Sequence, residues 1–147
     1  MPEYIDQLDR VRRMLDRLNR QDRSPIEYGD DLWSFFQNCW HLKDWIKNDP
    51  SVPARVRGLI EKLVADSPPL MICADLANGT KHLWLRKPRV GAKHSRWNLL
   101  ITPGESSKVE YLIDIGSGDQ QDGLELAREC LLEWERILTA KGLMSRS

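Results

Sequence analysis

The feature that most constrains the fold is a series of prolines set behind serine or aspartate: Ser24-Pro25, Asp49-Pro50, Ser51-Val52-Pro53 and Ser67-Pro68-Pro69. Proline fits the first turn of a helix and disrupts its interior. Each of these steps therefore ends one helix or opens the next, and each segment between them carries apolar residues at three-four spacing. From about Glu3 to Arg23 the stripe is Ile5, Leu8, Val11, Leu15 and Leu18. Ser24-Pro25-Ile26-Glu27 reads as a capping box, with serine at the cap, proline at the first helical position and glutamate at the third. The helix it opens runs to about Asn48, with Leu32, Phe35, Phe36, Cys39, Leu42 and Ile46 on one face and Trp33, Trp40 and Trp45 elsewhere. Being apolar over most of its circumference, it should be central, and His41 and Asp44 on it are expected to be enclosed. A third helix follows Ser51-Val52-Pro53 with Val56, Leu59, Ile60, Leu63 and Val64 as its stripe. A fourth follows Ser67 and has to end near His82, since Pro88 cannot continue it.

The texture then changes. Trp97 to Thr102 and Val109 to Ile115 are β-prone runs joined by Pro103-Gly104-Glu105-Ser106-Ser107, which predicts an antiparallel hairpin, with residues 83–87 as a candidate third strand. Gly116-Ser117-Gly118-Asp119 reads as a turn ending in a helix cap. Leu124, Ala127, Leu131, Trp134 and Leu138 then form a last amphipathic helix running into Lys141-Gly142. The expected fold is mainly α: a bundle of about five helices with a small antiparallel hairpin or sheet, roughly residues 83–115, inserted before the C-terminal helix. No repeat or linker divides the chain, so residues 1–147 are read as one domain.

Charge matters through its distribution. Lys+Arg and Asp+Glu both number 22, which excludes a generally basic or acidic protein. Yet no acidic residue lies between Leu76 and Gly104, where Lys81, Arg86, Lys87, Arg89, Lys93 and Arg96 accumulate beside Trp84 and Trp97. Cations with interleaved aromatics suit a nucleic-acid strand; the bland equivalent is a solvated hairpin face. Cys39, Cys73 and Cys130 are odd in number, lack CxxC spacing and fall in helical apolar patterns, as buried free thiols of a reducing cytoplasm do. No apolar run approaches a membrane span, and the charged start Met1-Pro2-Glu3-Tyr4 is unlike a secretory signal. A soluble cytoplasmic protein is expected.

Chemistry-bearing side chains concentrate in Ile72-Cys73-Ala74-Asp75-Leu76-Ala77-Asn78-Gly79-Thr80-Lys81-His82. At about 100° per residue, Asp75, Asn78 and His82 fall within roughly 60° of one another with Lys81 beside them. In Trp40-His41-Leu42-Lys43-Asp44-Trp45, His41 and Asp44 are neighbours at i, i+3. Packed together, the two helices would form a polar pocket. The same residues could equally be a hydrogen-bonded network pinning two helices in register. Metal is not expected: His41, Asp44, Asp75 and His82 supply suitable ligand types, but no HxxxH, ExxH or CxxC spacing supports a site. Ser95, Ser106 and Ser107 lack a nucleophile-elbow context. Gly116-Ser117-Gly118 lacks the lysine of a phosphate loop, and no cofactor is expected.

A helical bundle with Asn78-x-x-x-His82 late in a central helix resembles the HEPN superfamily. Its ribonuclease members carry arginine, then asparagine, aspartate or histidine, three further residues, and histidine. Asn78 and His82 match the last two positions; the arginine position is Ala77. The resemblance implies an RNA- or nucleotide-binding protein, a homodimer, and a weak metal-independent endoribonuclease of toxin or phage-defence type. His82 would exchange the proton, Asn78 would orient it, and Lys81 with Arg86 would offset phosphate charge. His41, Asp44 and Asp75 would support them, and Lys87, Arg89, Lys93, Arg96 and Trp97 would hold the strand. The rival expectation is a non-catalytic interaction or regulatory protein with a partner protein, in which the polar residues only fix helix packing.

Overall fold

A computed structural model of the chain describes residues 3–20, 24–81, 93–100, 108–114 and 120–144. Among these, α1 (Tyr4–Leu18), α2 (Pro25–Lys47), α3 (Ala54–Arg57), α4 (Ile60–Ala65), α5 (Pro68–Lys81) and α6 (Gly123–Ala140) surround one apolar core. A small antiparallel sheet of β1 (Lys93–Leu100), β2 (Lys108–Asp114) and β3 (Gln120–Asp122) precedes the last helix. The mainly helical fold with a β insertion is thus as the periodicity predicts.

The capping chemistry explains where the helices start and stop. Ser24 Oγ accepts from the Glu27 N–H at 3.2 Å, which satisfies one donor that the helix start leaves over. The expected third helix is two, because the chain turns at Gly58 and Leu59, where Leu59 N–H bonds back three residues to Val56 rather than four. Glycine is the weakest ordinary helix former, yet Val56, Ile60 and Val64 stay buried across the break. The cap of α6 is Asp122, whose carboxylate accepts from Glu125 N–H at 3.1 Å; the expected cap, Asp119, lies outside the described residues. At its far end, Gly142 takes φ +73°. Its N–H bonds to Thr139 O and that of Leu143 to Leu138 O, the paired bonds of a Schellman ending.

In the sheet, β1 pairs with β2 and β2 with β3. Trp97 stands opposite Tyr111, and the register shifts between His94 and Arg96, with Ser95 as the extra residue. Such a bulge increases local twist. The third strand is Gln120–Asp122, and residues 83–87 lie outside the described residues. Ile113 of β2 is fully buried, and β2 packs on α6.

The centre of the core is α2. Leu32, Phe35, Phe36, Cys39, Leu42 and Ile46 are all fully buried, each burial contributing about 1.5–3 kcal/mol. The tryptophans divide: Trp134 of α6 is enclosed and donates its indole N–H to Cys39 O at 3.0 Å, Trp45 is half-buried beneath Arg10, and Trp33 is 41% exposed. Cys39, Cys73 and Cys130, from α2, α5 and α6, are free and completely buried, as expected. Cys73 Sγ donates to Phe36 O and Cys130 Sγ to Pro69 O, both at 3.4 Å. Burial foremost pushes both thiols well above the usual cysteine range. Across α5 and α6, the Ser67 hydroxyl donates to Glu133 Oε2 at 2.6 Å. Tyr4 OH donates to Leu143 O at 2.6 Å, which ties α1 to the turn after α6.

Candidate functional site

The two stretches that concentrate polar side chains do meet. α2 and α5 pack together, and between them opens a pocket of about 310 Å³ lined by Gln37, Trp40, His41 and Asp44 of α2 and Ala77 and Asn78 of α5. The spacing explains the α2 wall. Residues 37, 40, 41 and 44 follow at three-four intervals, so they share one arc of the helix, the arc that α5 leaves partly uncovered. Gln37 lies one turn before His41, a signal that the spacing carried.

His41 and Asp44 are not enclosed as expected. His41 is exposed, and the Asp44 side chain is 51% exposed. The cause is that the apolar arc of α2 already faces the core with Phe36, Cys39 and Leu42. His41 and Asp44 lie two positions past Cys39 and Leu42, about 200° round the helix, and look outward. Lys43, by contrast, is largely covered. Its ammonium lies 4.9 Å from the centroid of the Trp40 ring and bonds Asp44 Oδ1 at 3.1 Å and Glu61 Oε1 at 3.2 Å. Lys47 adds a bond to the same Glu61 oxygen at 2.8 Å. The lysines, Lys47 first, hold the Glu61 carboxyl below its usual range.

The expected members of the site fare differently. Asn78 lines the pocket and is half-buried. Asp75, expected beside it, is 1% exposed and turned into the protein. It is not among the lining residues. Ala77, which stands where the HEPN-like motif has arginine, is 5% exposed and contributes a methyl wall to the pocket. Lys81 is the last residue of α5. His82, Arg86, Lys87 and Arg89 lie outside the described residues, whereas Lys93, Arg96 and Trp97 are carried on β1, a strand that packs against α5 and α2.

The lining can donate and accept hydrogen bonds through two carboxamides, an imidazole and a carboxylate, beside an indole and a methyl group. Among the described residues no group of three histidine, cysteine, aspartate or glutamate side chains is placed to hold a metal ion. No helix among them is long and apolar enough to cross a membrane. Comparison with known protein-family models gives no match, and neither does comparison with curated proteins or with solved structures.

Proposed function

We propose that this chain is a HEPN-like protein that binds RNA or a nucleotide at the α2–α5 pocket, with slow, metal-independent RNA cleavage as the reaction its motif residues serve. The observation that carries the reading is the meeting of Asn78, the motif asparagine, with His41 and Asp44 at a solvent-open pocket. A network that only pinned helices would keep those groups enclosed and mutually bonded. Support comes also from β1, the strand that carries Lys93, Arg96 and Trp97 and packs on α5 and α2.

In cleavage, His82 takes the proton of a ribose 2′-hydroxyl, the oxygen attacks the adjacent phosphorus, and the bond to the 5′-oxygen breaks as that oxygen gains a proton. The products are a 2′,3′-cyclic phosphate and a 5′-hydroxyl. Asn78 orients the histidine, and Lys81 with Arg86 offsets the charge on phosphate. Alanine at position 77 removes the group that would act most directly on the phosphate, and loss of such a group slows catalysis by about 10²–10³-fold. The protein acts in the cytoplasm as a homodimer.

Binding of single-stranded RNA across a salt series tests the reading. The expected result is affinity that falls steeply with salt and weakens when Arg86, Lys87 and Arg89 are replaced together. Cleavage should survive EDTA, vanish in His82→Ala and rise in Ala77→Arg, whose side chain would extend into the pocket. Absence of RNA binding at low salt, with the fold confirmed by circular dichroism, would turn the reading to a non-catalytic interaction protein. Ile26 and Trp33, 71% and 41% exposed on α2, are the residues that favour that second reading.

A further inference from the structure

The pocket has a chemical bias that narrows its ligand. Among the described residues, its lining includes no lysine or arginine. The nearest cation in sequence, Lys43, is held against Trp40, Asp44 and Glu61. A phosphate placed here would meet the Asp44 carboxylate, and among the described residues no lysine or arginine of the lining offsets it. At about 310 Å³ the space is near the lower limit for small-molecule sites, roughly 300 Å³, which suits one heterocycle and leaves the sugar and phosphate outside. The walls therefore fit a planar, uncharged group rich in N–H donors.

A carboxylate only accepts, through about four lone-pair sites, and Asp44 Oδ1 gives one of them to Lys43 at 3.1 Å. The rest suit adjacent N–H groups. Among the four RNA bases, guanine alone sets two N–H donors side by side, at N1 and N2. Adenine and cytosine place an amino group beside a bare acceptor nitrogen. The single N–H of uracil is flanked by carbonyl oxygens that would face the carboxylate. Guanine also offers acceptors at O6 and N7, which the amides of Gln37 and Asn78 can serve.

Resting on the nucleotide-binding reading above, we propose that the α2–α5 pocket receives a single guanine base, with Asp44 accepting from its N1–H and N2–H₂ groups and Gln37 and Asn78 donating to its acceptor edge. Asp44 is then the selectivity-determining residue. The sugar and phosphates then lie outside the pocket.

The test uses nucleosides, which carry no phosphate, titrated calorimetrically into the full chain. Guanosine should bind about tenfold or more tighter than inosine, which lacks only the 2-amino group, and tighter than adenosine, cytidine or uridine. Asp44→Asn should lower guanosine affinity by about tenfold and erase the preference over inosine, because the amide keeps one accepting oxygen and turns an NH₂ donor toward the second N–H group. Gln37→Ala should weaken guanosine while keeping the preference. Circular dichroism should show both variants folded, since Asp44 is half-exposed and Gln37 only partly buried. Equal affinity for all nucleosides, or an unchanged Asp44→Asn, overturns the proposal. RNA binding measured on the same protein separates two failures. Salt-dependent RNA binding without guanosine binding overturns the base pocket alone, and loss of both removes the nucleotide reading beneath it.

Discussion

Asp49 joins the end of α2 to the start of α1, and its removal should be felt by the whole fold. The residue is 3% exposed. Its Oδ2 accepts from Tyr4 N–H at 2.9 Å, and its Oδ1 accepts from Ser51 N–H at 2.8 Å and from the Ser51 hydroxyl at 2.7 Å. Tyr4 opens α1, so the carboxylate also meets the positive end of that helix dipole. Hydrogen bonds to a charged group contribute about 1.5–3 kcal/mol each. The Ser51 hydroxyl, on an exposed residue, can turn to water, which leaves two backbone bonds to count. Asp49→Ala should then cost about 3 kcal/mol, a fall in Tm of about 6–12 °C for a chain of this size, and Asp49→Asn about half as much. The sign of the pH dependence follows from the carboxyl being held below its ordinary value of 3.8, chiefly by the Ser51 hydroxyl and then by Tyr4 N–H. A depressed pKa stabilises the fold fully above the unfolded value, and that stabilisation is lost as pH falls through the folded one. The gap between wild type and Asp49→Ala should therefore be constant from pH 5 upward and shrink below about pH 4. Thermal melts by circular dichroism at several pH values measure it. A Tm within about 1 °C of wild type at neutral pH, or a gap that does not shrink in acid, would refute the assignment.

Other perturbations are smaller or sharper. Gly142→Ala should cost about 1 kcal/mol in urea denaturation, because the residue sits at φ +73° and a Cβ there would meet open space, leaving backbone conformation as the whole cost. Asp44→Ala should change stability by no more than about 1 kcal/mol, since an exposed ion pair contributes little; a loss above about 2 kcal/mol would restore the buried-network reading. Trp134→Phe removes a fully buried ring system and the bond to Cys39 O. It should destabilise by about 2–4 kcal/mol in equilibrium unfolding, from the vacated volume and the lost hydrogen bond.

What the amino-acid sequence discloses is mostly local. Ser24 caps the helix that Pro25 opens because a hydroxyl and a fixed φ act within four residues, and the stripe Leu32, Phe35, Phe36, Cys39, Leu42 identifies a buried face whatever lies against it. The convergence of residues 41 and 44 with residue 78 was also foreseeable, from two helices that each mix polar and apolar residues. Their exposure was not. A helix with tryptophans all round gives no sign of which arc its neighbours leave open, and that depends on how α5 crosses α2 and on Ala77 being small. The short β3 strand escaped the pattern because three residues, Gln120, Gln121 and Asp122, carry no alternation, and their pairing is set by the β2 edge beside them. The break at Gly58 follows from one weak helix former in a stripe that otherwise continues.

The three enclosed sulfurs make the chain its own reporter. With every cysteine at zero accessibility, alkylation has to wait for the helices to part, so the rate of thiol modification measures opening of the α2–α5–α6 core rather than surface reactivity. A single cysteine introduced on an exposed face would then take a fluorophore or spin label selectively while the native three stay silent.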